Sequence, residues 1–397
     1  MAKIIKYWDE PFPQGNMNST LVAVKPARVI RNRHFYSSKL DEINWAYVPA
    51  DTVHLKGFED TKKITGRQQG GRSTTLEKRL GLGGQEFAIN IKGSGNLFGP
   101  DYSSIFLAYS FYDDPKKLFT KKEALALEKL LQKRSVVGVL SDNCSGDTFH
   151  RPLGGQILSW AEEDLRYSEI YSSRRTAFSR RLGMYICPVL SVSVVPHGYL
   201  IAAKRTSDRR PVAQEIRLLP SNVRLLPDNG IKALRDCRLT PPESFYKNLI
   251  YTAVQICTLP IRSLQNCSRG IKGCMDSLVY DGVDLTKDGV IAADGKMYFA
   301  DLEGITYIHL SSRIAPSLRE DAEDTLNTVM EMITYAAYKL NSTGSSDKRY
   351  LNKKYIDLIN SAMPKQFAYA KVSDISGRII LDVNKGLDSK VRRYLQG

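Results

Sequence analysis

Four kinds of residue that could together bind the phosphates of a nucleotide follow one another along this chain. Glycines and an arginine come first, between Gly66 and Arg72, and Lys92 then closes an apolar, strand-like run. An acidic triplet that contains Glu163 comes third, and Asp301 comes last. Phosphoryl-transfer sites use a glycine turn over the phosphates, a strand lysine, a helix glutamate that orients the lysine, and a carboxylate that holds Mg²⁺.

Asp301 follows a segment that we expect to form a buried β-hairpin. The arms, 290–293 and 297–300, are apolar on both faces, and Asp294-Gly295 between them is a strong signal for a two-residue turn. A carboxylate at the end of such a hairpin is costly unless something pairs with it. The stretch alone leaves two roles open, a cap for the next turn or a metal ligand.

The residues before Asp301 lack the expected proton acceptor. In protein kinases a metal-binding asparagine stands about thirteen residues before the metal-binding aspartate, and the catalytic base stands about five residues earlier still. Counting back from Asp301 reaches Asp288, an oxygen ligand, and then Val283, which is apolar. An apolar residue in the base position argues against ordinary phosphoryl transfer to a hydroxyl.

Five motifs, taken in order, resemble the selenoprotein O family, kinase-like proteins that also lack the base and that transfer AMP. DGVDLTKD (281–288) resembles the family segment His-Gly-Val-Met-Asn-Thr-Asp-Asn, and GRQQGGRS (66–73) resembles Gly-Gln-Leu-Gly-Asp-Gly-Arg-Ala. INIKGSG around Lys92 resembles Leu-Gln-Leu-Lys-Gly-Ala-Gly, and EDLRYSE around Glu163 resembles Glu-Phe-Leu-Cys-Ser-Glu-Ala. RLLPSNVR (217–224) resembles Arg-Val-Ala-Pro-Ser-His-Ile-Arg.

The resemblance implies roles for the central residues of these motifs. Lys92 would contact the nucleotide, and Glu163 rather than Glu162 would orient it. Arg217 and Arg224 would bind the terminal phosphate of an ATP molecule held in reversed orientation. Guanidinium groups suit that role because they grip phosphate oxygens with two parallel hydrogen bonds and keep their charge.

The remaining assignments concern the turn over the nucleotide and the metal. By resemblance, Gly66, Gly71 and Arg72 close over the nucleotide, and Asp288 and Asp301 hold Mg²⁺ or Mn²⁺. Asp288 replaces the asparagine of the family and is still a good Mg²⁺ ligand. A one-residue shift of the motif would instead align Asp288 with the preceding aspartate of the family and Gly289 with the asparagine. The C-terminal cysteine or selenocysteine tail of the family is not matched.

The resemblance implies a protein adenylyltransferase, which moves AMP from ATP–Mg²⁺ to a Ser, Thr or Tyr hydroxyl of a partner protein. Two alternatives stay open. One is a kinase-like enzyme that transfers phosphate by the ordinary route, and the other is a catalytically inactive scaffold that binds an acidic protein or nucleic acid. Lys287, which stands where the family has an aspartate, favours the scaffold.

These residues need two lobes to position them, and the sequence predicts an α+β, protein-kinase-like bilobal fold. Residues 1–60 read as an irregular N-terminal extension. Residues 61–200 read as a strand-rich N-lobe with an insertion near 100–150. Residues 201–397 read as a helical C-lobe that carries the metal-binding hairpin.

Apolar residues at helical spacing predict the main helices. We expect core-packing helices at 245–265 and 318–340, a charged helix near 120–134, and a long helix over 156–183. Strands alternate with loops between 185 and 226, and a strand ends at Lys92 before a glycine turn.

Composition limits the possible partners. The chain has 397 residues, of which 42% are hydrophobic, and Lys plus Arg exceed Asp plus Glu by 57 − 42 = 15. This positive charge favours anionic partners such as nucleotides, acidic proteins or nucleic acid, of which nucleic acid is possible but not favoured. No apolar run reaches the ~20 residues that span a membrane. The six cysteines form no C-x-x-C pair, so we expect reduced thiols and no zinc site. The first residues, MAKIIKYWDEPFPQG, show no signal-peptide core, so we expect a cytoplasmic protein or one that is delivered by another route.

Overall fold

A computed structural model gives the fold. It describes residues 18–35, 40–49, 62–69, 73–82, 85–94, 107–108, 138–140, 156–173, 186–202, 205–221, 223–225, 243–268, 278–280, 289–300, 302, 305–307, 315–340, 348–363, 370–372, 378–382, 387 and 389.

The chain divides into two compact units, which are named here by their main elements. The sheet unit comprises Phe12–Glu169 and Pro188–Leu219. The helical unit comprises Met1–Pro11, Ile170–Cys187 and Pro220–Gly397. Helices and antiparallel strands occur together, which confirms the α+β class. The division falls after Leu219, about twenty residues beyond the predicted lobe boundary.

The sheet unit contains eleven described strands and one described helix. In chain order they are β1 (Asn18–Val24), β2 (Arg28–Arg31), β3 (Ala46–Pro49), β4 (Lys62–Gln69), β5 (Ser73–Leu82), β6 (Gln85–Lys92), β7 (Leu107–Ala108), β8 (Gly138–Leu140), β9 (Gln156–Ile157), α1 (Leu158–Ser172, in this unit as far as Glu169), β10 (Val189–Ala202) and β11 (Arg205–Leu219).

The eleven strands form a single sheet. Its order is β3-β1-β4-β5-β6-β11-β10-β8-β7, while β2 pairs with β10 and β9 pairs with β11. Only residues 25–27 separate β1 from β2, although β1 pairs with β4 and β2 pairs with β10 at the other side of the sheet. All pairs from β2 through β10, β11, β6, β5 and β4 to β1 are antiparallel. The sheet must therefore be curved enough for residues 25–27 to connect β1 at one side with β2 at the other.

The N-terminal region contributes to this sheet. Residues 18–31 and 46–49, predicted as part of an irregular extension, form β1, β2 and β3. The apolar run Leu21–Val24 is fully buried, and the chain turns at Pro26, which cannot donate a ladder hydrogen bond. These three short apolar segments form strands because other strands of the sheet supply their hydrogen-bond partners.

The two faces of the sheet pack against different parts of the sheet unit. One face packs a hydrophobic core, because alternate strand residues point the same way. This core contains Leu21, Ala23, Leu40, Ile43, Tyr47, Leu76, Phe87, Ile89, Ile91, Leu190, Ile216 and Leu218. The opposite face packs against α1 through Ala161 and Leu165, which contact Val189, Val192 and Ala213.

The helical unit has three described helices and three short two-stranded sheets. Its elements are α2 (Glu243–Ser268), β12 (Leu278–Tyr280), β13 (Gly289–Ile291), β14 (Met297–Phe299), β15 (Ile305–Tyr307), α3 (Ala315–Leu340), α4 (Lys348–Ala362), β16 (Ala370–Val372) and β17 (Ile379–Leu381). β12 pairs with β15, β13 with β14, and β16 with β17. The helices predicted at 245–265 and 318–340 are confirmed as α2 and α3.

Two other helix predictions have a different outcome. The helix predicted over 156–183 is shorter at its start, because Gln156 and Ile157 form β9, and residues 174–185 lie outside the described residues. The helix predicted near 120–134 also lies outside the described residues.

No helix in the described part of the chain is both long enough and apolar enough to cross a membrane.

Candidate functional site

Lys92 lies at the end of β6, where the chain turns away from the sheet. The next residue, Gly93, has φ +91°, and a Cβ there would come within 2.9 Å of the carbonyl oxygen of Ala213. Glycine is therefore required at this turn, which confirms the predicted strand end. The Ser94 hydroxyl donates to the carbonyl of Ile91 at 2.8 Å. These contacts fix the backbone that carries the Lys92 side chain.

Helix α1 brings a carboxylate to Lys92. Ala161 and Leu165 pack against the sheet, and Asp164 and Ser168 belong to the same helical stripe because they stand three and seven residues after Ala161. Asp164 is 1% exposed, and its Oδ2 lies 2.9 Å from Lys92 Nζ. The apolar packing of α1 thus fixes a buried ion pair.

A second carboxylate reaches Lys92 from strand β11. Glu215 is opposite Lys92 in the β6–β11 ladder, and its Oε1 lies 3.5 Å from Lys92 Nζ. Gln156 of β9 donates its side-chain amide to the same oxygen. Glu215 Oε2 is buried and has no hydrogen-bond partner within the described part of the chain. Lys92 is therefore held between two buried carboxylates.

Arg217 lies on the same face of the sheet as Glu215, two pairs along the β6–β11 ladder. It is opposite Asn90, and its Nε donates to Asn90 Oδ1 at 2.9 Å. The Asn90 amide in turn donates to Thr75 Oγ1 on β5 at 2.9 Å. Arg217 is 3% exposed. The structure thus brings together Lys92 and Arg217, two of the residues expected to bind phosphate.

This arrangement is a buried polar cluster, which we call the Lys92 cluster. It comprises Lys92, Asp164, Glu215, Arg217, Gln156 and Asn90. Two cations and two carboxylates give zero net charge when all four are ionised. Lys92 supplies an ammonium and Arg217 a guanidinium on the same face of the sheet, and both groups bind phosphate oxygens in proteins. The cluster has the donors for a phosphate, and its carboxylates oppose one.

The predicted partner of Lys92 needs a correction. Glu163 was expected to orient the lysine, but the structure pairs Lys92 with Asp164 and Glu215. Glu163 forms an ion pair with Arg166 at 3.9 Å, and its side chain is 42% exposed. The reason is helical geometry: a step of one residue turns Glu163 about 100° away from the stripe that faces the sheet. Glu162 also lies off that stripe and pairs with Arg28.

Gly66 does not belong to a turn. It lies within β4, opposite Ser19 of β1 and Leu76 of β5. A strand that is hydrogen-bonded on both sides cannot also fold over a phosphate, so the role expected for Gly66 is not supported by its position. Gly71 and Arg72, in the connection between β4 and β5, lie outside the described residues.

The predicted hairpin before Asp301 is confirmed as β13–β14, and its turn is longer than expected. Ala292 N–H donates to the carbonyl of Lys296 at 2.8 Å, which leaves three residues in the loop. Gly295 has φ +89°. A three-residue loop that ends in such a glycine is a common hairpin connection. Asp294 is the middle residue of this loop, and its Oδ1 accepts a hydrogen bond from Lys296 N–H at 3.1 Å.

Arg224 belongs to the helical unit and lies beside this hairpin. Its backbone bridges to Val290, and Leu225 N–H donates to the carbonyl of Gly289 at 2.9 Å. The arginine is half-buried. Arg224 is therefore next to the strand that begins directly after Asp288.

Both predicted metal ligands, Asp288 and Asp301, lie outside the described residues. Among the residues that are described, no group of three or more His, Cys, Asp or Glu side chains could hold a metal ion. The assignment of Mg²⁺ or Mn²⁺ to Asp288 and Asp301 stays a prediction.

Sequence reasoning missed Asp164, Glu215 and Gln156. A sequence signal existed for two of them. Asp164 falls in the stripe that Ala161 and Leu165 define. Glu215 alternates with Arg217, while the apolar Ile216 and Leu218 occupy the positions between and after them. Gln156 gave no such signal, because its role depends on the β9–β11 pairing.

No protein-family model matches this sequence, and a comparison with proteins of curated function gives no significant match. Any functional assignment therefore depends on the residues themselves and on the motif resemblance.

Proposed function

We propose that this protein is an ATP-dependent adenylyltransferase that transfers AMP to a Ser, Thr or Tyr hydroxyl of a partner protein. The observation that carries the proposal is the Lys92 cluster: a buried strand lysine that is paired with a helix carboxylate and has an arginine beside it on the same face. A lysine–carboxylate pair of this kind is a component of kinase-type nucleotide sites.

The reaction would form one bond and break one. The acceptor oxygen attacks the α-phosphorus of ATP, the bond from that phosphorus to the bridging oxygen breaks, and its electron pair leaves with pyrophosphate. The hydroxyl proton passes to solvent, since Val283 stands where a kinase has its base. Lys92 and Arg217 would hold phosphate oxygens by charge-assisted hydrogen bonds. The resemblance adds Arg224 as a phosphate ligand, and a divalent cation on Asp288 and Asp301 would neutralise phosphate charge.

The partner and setting follow from the same reasoning. The acceptor is a protein, because the motifs resemble a family that modifies proteins, and the positive net charge favours an acidic one. We expect the reaction to occur in the cytoplasm.

Intact-mass spectrometry after incubation with ATP and Mg²⁺ tests this function. Self-modification, or modification of a candidate acceptor, should add about 329 Da for AMP, whereas a kinase would add about 80 Da. ATP labelled at the α-phosphate should mark the acceptor, and ATP labelled at the γ-phosphate should not.

Two variants complete that experiment. Asp301→Ala should abolish the mass gain, and Glu163→Gln should leave it unchanged because the Glu163 side chain is 42% exposed and pairs with Arg166. A gain of about 80 Da would make the protein a phosphotransferase. ATP-dependent stabilisation without any mass gain would favour the inactive scaffold.

A further inference from the structure

We propose that Glu215 is an internal competitor for the Lys92 ammonium, which an incoming phosphate must displace. This inference rests on the proposed phosphate-binding role of the Lys92 cluster. Kinase-type sites orient their lysine with a single helix carboxylate. Here strand β11 adds a second carboxylate from the neighbouring position in the sheet.

The two carboxylates hold Lys92 to different degrees. Asp164 Oδ2 lies at 2.9 Å from Lys92 Nζ, which is a hydrogen-bond distance, whereas Glu215 Oε1 lies at 3.5 Å. The Glu215 oxygen also accepts the Gln156 amide, so it keeps a donor when Lys92 turns away. Glu215 is therefore the contact that can be exchanged, and Asp164 is the lasting one.

Charge gives Glu215 its effect on binding. With Arg217 included, the cluster has two cations and two carboxylates, so it offers an anion no net attraction. Removing the charge of Glu215 leaves a net charge of +1 on a buried surface, where electrostatic interactions are strong because little water screens them. The position of Glu215 thus makes the site selective for ligands that bring enough negative charge to compete.

Geometry makes the competition direct. Glu215 is the ladder partner of Lys92, and its side chain contacts the ammonium on the face that also carries Arg217. A phosphate that bridges Lys92 and Arg217 would occupy the space next to Glu215. Two negative groups cannot share that ammonium without repulsion in a buried site.

The test compares pyrophosphate binding by the wild-type chain, Glu215→Gln and Glu163→Gln. Glutamine keeps the shape and can still bond to Gln156, and Glu163→Gln is a matched control because it makes the same substitution at an exposed position of α1. We expect Glu215→Gln to bind pyrophosphate about tenfold more tightly than wild type, and Glu163→Gln to equal wild type. Adenosine, which has no phosphate, should not distinguish Glu215→Gln from wild type.

The result that overturns the proposal is a Glu215→Gln affinity for pyrophosphate equal to or weaker than that of wild type. If this variant does not fold, Glu215→Asp replaces it. That shorter carboxylate withdraws from Lys92, so binding should tighten in the same direction by a smaller factor.

The proposal and the proposed function can fail separately. Suppose that Glu215→Gln binds pyrophosphate more tightly but wild type never gains about 329 Da, the mass of an AMP group. That result supports the role of Glu215 as competitor and ends the adenylyltransferase proposal. If wild type transfers AMP but Glu215→Gln binds pyrophosphate as wild type does, the adenylyltransferase proposal stands and the competitor role of Glu215 is overturned. If no form binds pyrophosphate, the competitor is ruled out, and the intact-mass experiment alone decides the function.

Discussion

The ammonium of Lys92 and the carboxylate of Asp164 are both buried, so neither can exchange its partner for water. Burying an ion costs several kcal/mol unless the geometry of its pair compensates. Their 2.9 Å separation and the packing of α1 provide that compensation. The pair therefore affects the stability of the sheet unit as well as any ligand binding.

Asp164→Asn tests this directly. We expect the free energy of unfolding to fall by about 2–4 kcal/mol, because the variant weakens a buried pair while Glu215 still partly neutralises Lys92. Chemical denaturation measures the loss. Glu163→Gln is the control and should change stability by less than about 0.5 kcal/mol, since an exposed pair contributes little. Equal losses in the two variants would contradict the assignment of Asp164 as the partner.

The one-residue difference between Glu163 and Asp164 shows how far a motif could predict the site. The motif register selected the helix that brings a carboxylate to Lys92, since Asp164 of α1 pairs with it. The functional role of Lys92 stays a prediction. The motif register selected the wrong carboxylate because side-chain direction depends on the helical stripe, which the motif does not encode. Glu215 was missed for another reason: its partner stands more than a hundred residues away in the chain, and only the strand register brings the two together.

Helices and strands could be predicted where a single sequence pattern was enough to indicate them. Apolar residues at helical spacing correctly predicted α2 and α3, an apolar run before a glycine turn predicted β6, and two apolar arms around Asp294-Gly295 predicted the β13–β14 hairpin. These patterns did not predict that β1, β2 and β3 join the sheet, because these short segments are stabilised by partners distant in sequence. Sequence reasoning also placed Gly66 in a turn, whereas pairing with both neighbouring strands keeps this glycine extended.

The hairpin turn depends on Gly295. A Cβ at this position would lie 2.2 Å from the carbonyl oxygen of Phe245, at the start of α2, and the backbone has φ +89°. Gly295→Ala should therefore lower the free energy of unfolding by about 2–4 kcal/mol, through strain and displacement of the hairpin from α2.

Gly81→Ala provides the control for that measurement. A Cβ at Gly81 would have no atom within 4 Å, and the backbone angle there is ordinary. Gly81→Ala should therefore leave the free energy of unfolding unchanged or raise it by at most about 1 kcal/mol. A Gly295→Ala variant as stable as Gly81→Ala would mean that the turn does not pack on α2 as described.

Helix α2 also contains a buried thiol that reports on its opening. Burial raises the pKa of Cys257 to about 12. Since the folded-state pKa lies above that of an unfolded cysteine, about 8.5, the folded chain favours the neutral thiol, and this preference costs stability as pH rises above the unfolded value.

At pH 8 we expect Cys257 to resist alkylation in the folded protein and to react once urea unfolds it, because only the thiolate is nucleophilic. Peptide mapping by mass spectrometry resolves the site, and Cys257→Ala identifies its signal. Rapid labelling of Cys257 in the native protein would show that α2 opens readily.

Across the whole molecule, the excess of fifteen positive charges must attract polyanions to some degree. Binding that depends only on this charge releases counterions from DNA and falls steeply with salt.

We expect weak binding to double-stranded DNA at about 50 mM salt and its loss by about 0.3 M, without sequence preference. Lys92→Ala should bind DNA as wild type does, because Lys92 is buried and does not belong to the exposed positive surface that a DNA duplex, unlike free pyrophosphate, is restricted to. Fluorescence anisotropy across a salt series measures this, and ATP binding by Lys92→Ala provides the contrast. DNA binding that persists at high salt would make nucleic acid a specific partner, and the scaffold would then explain the charge better than an acidic protein substrate does.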